Sequence, residues 1–190
     1  ATHVNNSYSR GSYSVDGGIV QYGGLAGGLS YYGELENSYS AISAHLTNNV
    51  APLSDGLSAT ITGGAIGSAS TDSIIKNVFS VGGISSNITS AGLIGFVTRI
   101  LSLSYQADNI SNNYYDRTAV NQSNCVDQYL EIDDITDTST LVATPAIFCT
   151  PVNTDGSQPN YFKNNSTNPP LNQWDFASIW KTNCTNYPDF

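Results

Sequence analysis

The chain has 190 residues, of which 39% are hydrophobic and only 11% charged, with six Lys and Arg against fifteen Asp and Glu for a net charge of −9. That balance disfavours nucleic acid or an anionic membrane surface as a partner, and no apolar run is long enough to insert across a bilayer. With so few charges the surface must be built from Ser, Thr, Asn, Gly and Tyr, a composition that suits strands and turns and suits long helices poorly.

In chain order, Asn6-Ser7-Tyr8-Ser9 is the first of several Asn-x-aromatic steps. Gly23-Gly24-Leu25-Ala26-Gly27 leads, ten residues after Gly27, to Asn37-Ser38-Tyr39-Ser40. Gly63-Gly64-Ala65-Ile66-Gly67 leads, ten residues after Gly67, to Asn77-Val78-Phe79-Ser80. A looser copy, Ala91-Gly92-Leu93-Ile94-Gly95, leads to Leu103-Ser104-Tyr105-Gln106. A recurring signature of this kind marks repeating structural units. The aromatic steps at Tyr8, Tyr39, Phe79 and Tyr105 are separated by 31, 40 and 26 residues, so insertions are expected between units, the stretch Thr47 to Asp55 among them. The chain lacks Met and starts with a half unit, which reads as a processed start or as a coil completed by another molecule.

Ile19-Val20, Ile42 to Leu46, Leu57 to Ile61, Val78 to Val81 and Ile100 to Tyr105 are short apolar or alternating runs. Such runs predict half-buried strands. Each Gly-Gly pair permits a sharp turn, the apolar residues after it point into a narrow interior, and the closing glycine leaves room for the next coil. Asn37 and Asn77 precede an aromatic expected to point inward, where stacked asparagines can bond each other. Units this small bury enough surface only by stacking. The prediction is an all-β, parallel β-solenoid of about three to four irregular coils over residues 1–116, with a loop-rich C-terminal cap over residues 117–190.

In that cap Trp174-Asp175-Phe176-Ala177-Ser178-Ile179-Trp180 and Tyr187-Pro188 are expected to cover the open end of the stack. Cys125, Cys149 and Cys184 form no metal-binding spacing. A disulfide among them is expected, with the pairing open. Sequons at Asn5, Asn87, Asn109, Asn121, Asn164, Asn165 and Asn183 read as extracellular, or as chance in an Asn-rich chain.

The Gly-Gly-Leu-Ala-Gly and Asn-Ser-Tyr-Ser steps resemble the GLUG motif of bacterial surface proteins, which occurs in filamentous-haemagglutinin-like adhesins and beside IgA-protease-type proteins. Asn112-Asn113-Tyr114-Tyr115-Asp116 is similar to the step that ends such arrays, and the Trp174 to Pro188 segment to their closing segment. Ala65-Ile66 and the third copy depart from the motif, and Arg117 to Pro170 has no counterpart. The resemblance implies a parallel β-solenoid on a cell surface or in a secreted assembly, and carries no catalytic residues with it.

No catalytic, cofactor-binding or metal-binding residues are assigned. His45 is expected on the strand face opposite Ile42, Ala44 and Leu46, with no nucleophile elbow to serve it. His3 sits near the start of the chain. Glu34 and Glu36 fall on one side of a strand and are read as solvent-facing rather than as paired glycosidase carboxylates. Asp127, Glu131, Asp133, Asp134 and Asp137 read as a solvated acidic loop without a calcium-loop pattern. Tyr31-Tyr32 and Tyr114-Tyr115 are adjacent pairs, one member of each expected outward, where it could stack on a sugar or a protein partner. The leading expectation is a non-enzymatic, extracellular structural or adhesive module that self-associates into a fibre or binds other surface proteins. A glycan- or ice-binding module and a β-helical glycan-active enzyme are the alternatives. For ice, Thr60 and Thr62 are the only short Thr-x-Thr instance.

Overall fold

A computed structural model describes residues 2–16, 21–47, 61–86, 90–103, 107–143, 148–163, 166–183 and 185–190. Ile19-Val20, Thr60, Tyr105, Cys184, Asn87, Asn164 and Asn165 lie outside the described residues, as does most of the Thr47 to Asp55 and Leu57 to Ile61 stretches.

The strands begin with β1 (His3–Asn5), β2 (Tyr8–Asp16), β3 (Gln21–Gly23), β4 (Ala26–Leu29), β5 (Glu34–Glu36) and β6 (Tyr39–Thr47). Next come β7 (Ile61–Gly63), β8 (Ile66–Ser70), β9 (Ile74–Lys76), β10 (Phe79–Ser80), β11 (Ile84–Ser86) and β12 (Ile94–Ile100). The later elements are β13 (Ile110–Ser111), β14 (Tyr114–Asp116), the short helix α1 (Arg117–Val120), β15 (Val126–Asp133), β16 (Thr138–Val142) and β17 (Thr150–Val152).

The protein is all-β and its sheets are parallel. One sheet runs β1-β5-β9-β13. A second runs β11-β6-β10-β14-β17 with β2 also on β6, and a third β16-β15-β12-β8-β4. β3 pairs β7, and only β15 and β16 pair antiparallel among the described strands. The register aligns equivalent residues of successive sequence copies. Val4, Leu35, Ile75 and Ile110 face one another across the first sheet. Leu29, Ala69, Val97 and Tyr129 do so across the third. Because strand side chains alternate, these rows share one side and form the main core with Leu93, Ile94 and Val126.

The closing glycine works as anticipated, since a Cβ on Gly67 would overlap the Gly27 carbonyl oxygen of the neighbouring copy. Among the described residues, however, the Gly-Gly pairs take no positive φ and serve close approach instead. A Cβ on Gly63 would overlap the Ile66 carbonyl oxygen and lie 2.5 Å from the Gly95 nitrogen, so only a residue without a side chain lets the neighbouring backbones approach. Asn6, Asn37, Asn77 and Asn112 all take left-handed backbone angles, with φ of 50°, 47°, 57° and 54°. That region costs most L residues energy and is tolerated best by Gly, Asn and Asp. Asn37, Asn77 and Asn112 also join into a side-chain ladder. The Asn37 amide donates to Asn5 Oδ1 at 3.0 Å, Asn77 to Asn37 at 2.9 Å and Asn112 to Asn77 at 2.6 Å.

Three expectations are corrected by the register. Phe79 pairs with Tyr114, so the aromatic step that follows the third glycine copy is Asn112-Asn113-Tyr114 rather than Leu103 to Gln106. A longer connection after Gly95 hides the fixed offset. Second, Tyr39 and Phe79 are buried but do not point into the main core. The left-handed asparagine before them shifts the alternation, so Ser38, Ser40 and Ser80 turn inward while the rings form a separate cluster outside. Third, Trp174 and Trp180 do not sit over an end of the stack. They lie along this outer aromatic row, with Trp174 5.4 Å from Phe79 and Trp180 6.3 Å from Tyr8 between ring centroids. A row of exposed rings running across strands offers more apolar area than the end of a narrow stack, and burial follows area.

Parallel pairing also continues past Asp116. β15 extends the sheet of β12 and β17 that of β14. The Cys125–Cys149 disulfide, with Cα atoms 5.9 Å apart, joins the segments that precede these two strands.

Candidate functional site

The outer face of β2, β6, β10 and β11 divides into two halves. Alternation places Tyr8, Arg10, Ser12 and Ser14 of β2 on it, beside Tyr39, Ala41, Ser43 and His45 of β6. Phe79, Ser85 and the intervening Gly83 continue the rows on the other side of β6.

The first half is covered. Tyr8 stacks on Tyr39 at 5.3 Å, Tyr39 on Phe79 at 4.9 Å and Phe79 on Phe162 at 4.5 Å. Leu171, Trp174, Trp180 and Tyr187 complete this cluster from the C-terminal segment. Arg10 fastens the segment's end. Its guanidinium donates to the Tyr39 hydroxyl at 2.8 and 2.5 Å and to the carbonyls of Tyr187 and Pro188 at 3.1 and 2.9 Å. It also pairs with Asp189 at 3.4 Å and lies over the Tyr8 ring. Tyr8 donates to Asp189 at 2.8 Å, and this bond, more than any other influence, holds the Asp189 carboxyl below its ordinary range. Burial pushes the Tyr39 and Tyr187 phenols up to about 12.

The second half is open. Ser12 and Ser43 are paired in register, and Gly83 continues the same row. Ser14, His45 and Ser85 form the next row. Here β14 ceases to follow the stack. Asp116 caps α1, accepting from the Thr118 and Ala119 amides at 3.1 Å. The helix and Asn121 therefore rise beside Gly83 where a strand would otherwise continue. The result is a groove of about 710 Å³ lined by Ser12, Ser14, Ser43, His45, Ser85 and Asn121, among others. His45 Nδ1 lies 3.3 Å from the Ser85 hydroxyl oxygen. His45 is exposed and Ala44 and Leu46 are buried, as the alternation predicts. The Ser rows beside His45 could not be read from the sequence, because the register that aligns them crosses a long insertion.

The remaining candidates disperse. Glu34 and Glu36 flank the buried Leu35 and point outward. Glu34 meets His3 at 2.5 Å, while Glu36 is paired in register with Asn5 and Lys76. Asp133 Oδ1 accepts from the Ile135 and Thr136 amides at 3.0 and 3.2 Å, and hydrogen bonding, led by the Thr136 side chain, holds its carboxyl low. Asp134 accepts from Ser102 at 2.6 Å, Glu131 from Arg99 at 2.8 Å, and Asp127 lies within β15. Asp137 adopts a left-handed turn angle. Among the described residues no three His, Cys, Asp or Glu side chains converge for a metal ion.

The tyrosine pairs part company. Tyr31 and Tyr32 lie in a turn rather than a strand. Both are exposed, at 66% and 63%, with φ of 48° and 62°. Two bulky residues with left-handed angles are outliers of the kind that cluster at functional positions. Tyr114 is half-buried against Tyr161. Tyr115 is buried and donates to the Ser123 carbonyl at 2.8 Å, so it offers nothing to a partner.

No protein-family model, no curated protein and no solved structure matches this chain.

Proposed function

We propose that this protein is a short parallel β-solenoid, akin to GLUG-type surface repeats, that acts outside the cell as a non-enzymatic structural or adhesive module and as a candidate fibre subunit. The supporting observation is the register that brings Tyr8, Tyr39, Phe79 and Tyr114 into one row while their asparagines align beside them. Such stacking makes a stiff body whose length and side faces grow with each coil, which is what display and attachment require. A disulfide fits an oxidising location. Beads coated with the purified protein should adhere to cell surfaces, and concentrated samples should show elongated assemblies by electron microscopy. A protein that stays monomeric at high concentration and does not adhere would overturn the proposal.

A second reading, glycan attachment, is favoured by the exposed Tyr31 and Tyr32 rings. Under it, Tyr31→Ser with Tyr32→Ser reduces bead adhesion while the unfolding midpoint stays unchanged.

A further inference from the structure

We infer that the groove over β2, β6 and β11 is a binding site for a neutral oligosaccharide. It forms because the C-terminal segment covers only the aromatic half of that outer face and because α1 replaces the next strand beside Gly83. Its volume of about 710 Å³ lies within the range of roughly 300–1,000 Å³ typical of ligand clefts.

The chemistry of the lining selects the ligand. Ser12, Ser14, Ser43 and Ser85 offer hydroxyls, each of which donates and accepts, as sugar hydroxyls also do. Parallel strands space neighbours within a row about 4.8 Å apart, and the two rows lie about 6.6 Å apart along the strands, so several hydroxyls can engage one extended chain. His45 stands between Ser14 and Ser85, adding an imidazole edge and a flat apolar ring face. Gly83, at the edge of the floor, carries no side chain, and a Cβ there would lie 3.3 Å from the Ala119 carbonyl oxygen, so α1 closes against the floor as a wall. No Asp, Glu, Lys or Arg occurs among the described residues that line the groove. In a chain of net charge −9 an anionic sugar would be repelled and would find no cation to pair with. A neutral polyol meets neither obstacle.

This inference draws its context from the adhesive reading, but binding to the purified monomer does not depend on adhesion or assembly. Isothermal titration with neutral tetrasaccharides of glucose, mannose, galactose and N-acetylglucosamine should show at least one binding in the micromolar to millimolar range. Ser43→Trp, which fills the floor, should abolish that binding. His45→Ala should weaken it about tenfold, the loss of one well-made polar contact. Ile135→Ser, at an exposed position outside the groove, should leave it unchanged, and circular dichroism checks that each variant keeps its fold. Failure of all four sugars to bind, binding that survives Ser43→Trp in a folded variant, or tighter binding of a sulfated tetrasaccharide would each overturn the inference.

Discussion

Asparagine holds the left-handed corner before each aromatic because two demands meet there. The backbone must take positive φ, and the side chain must satisfy polar groups beside a tightly packed turn. Glycine meets the first demand alone, and other L residues pay about 1–2 kcal/mol to adopt that angle. Asn77 lies mid-ladder, donating to Asn37 and accepting from Asn112. Its carbonyl also accepts from Trp174 Nε1 at 3.0 Å. Asn77→Ala should therefore destabilise the protein by about 3–4 kcal/mol, combining the backbone term with two lost amide bonds of about 1 kcal/mol each. Asn77→Gly should cost less, because it relieves the backbone and loses only the ladder. Urea unfolding measures both, and equal midpoints for Asn77→Ala and the parent would refute the ladder's role. The asparagines were legible at this scale from their spacing before an aromatic. The direction of the aromatic was not, since it depends on the sign of one φ.

At the scale of elements, the C-terminal segment behaves as a strap along the side of the sheets. Its rings bury the Tyr8, Tyr39 and Phe79 row, and its end is fastened by Arg10, Tyr8 and Asp189. The Asp189 carboxyl is held low in the folded state. A depressed folded value means the stabilisation is complete above the unfolded carboxylate value of about 3.9. It is lost as pH falls through the folded value, where the folded carboxylate finally takes up its proton. Acid titration below about pH 4 should thus loosen the strap's end and shift the fluorescence of Trp180, which stacks on Phe190 at 4.7 Å. Asp189→Asn should shrink that acid-linked change. An identical titration in this variant would remove Asp189 from the latch. The aromatic content of this segment was visible in the sequence, and Trp174 and Trp180 are buried as two Trp and a Phe close together suggest, while Phe176 is only half-buried. Its place was not, because the flank it covers exists only once residues far apart in the chain are brought into one row.

For the whole molecule, the Cys125–Cys149 bond closes a loop with a sequence separation of 24 residues, spanning β15 and β16 and ending before β17. A loop of that size confers about 3 kcal/mol through the unfolded chain. Reduction should lower the thermal midpoint by several degrees, and a midpoint unchanged by reductant would show that this link constrains nothing. The bond also ties the third sheet to the second where α1 interrupts the stacking, so the wall of the groove and the last strands share one anchor.

The sequence by itself determined the class of structure. Recurrent glycines, Asn before aromatics and period-two runs are local demands of turns and strands, and they specify all-β units with parallel partners wherever they recur. Only the tertiary structure decided which copies align, since Tyr114 rather than Tyr105 answers Phe79. It alone decided that the aromatic row faces outward under a strap and that Ser12, Ser43, His45 and Ser85 share an open groove. The physical reason is that register across insertions is set by the summed packing of whole rows, which no short window of residues contains.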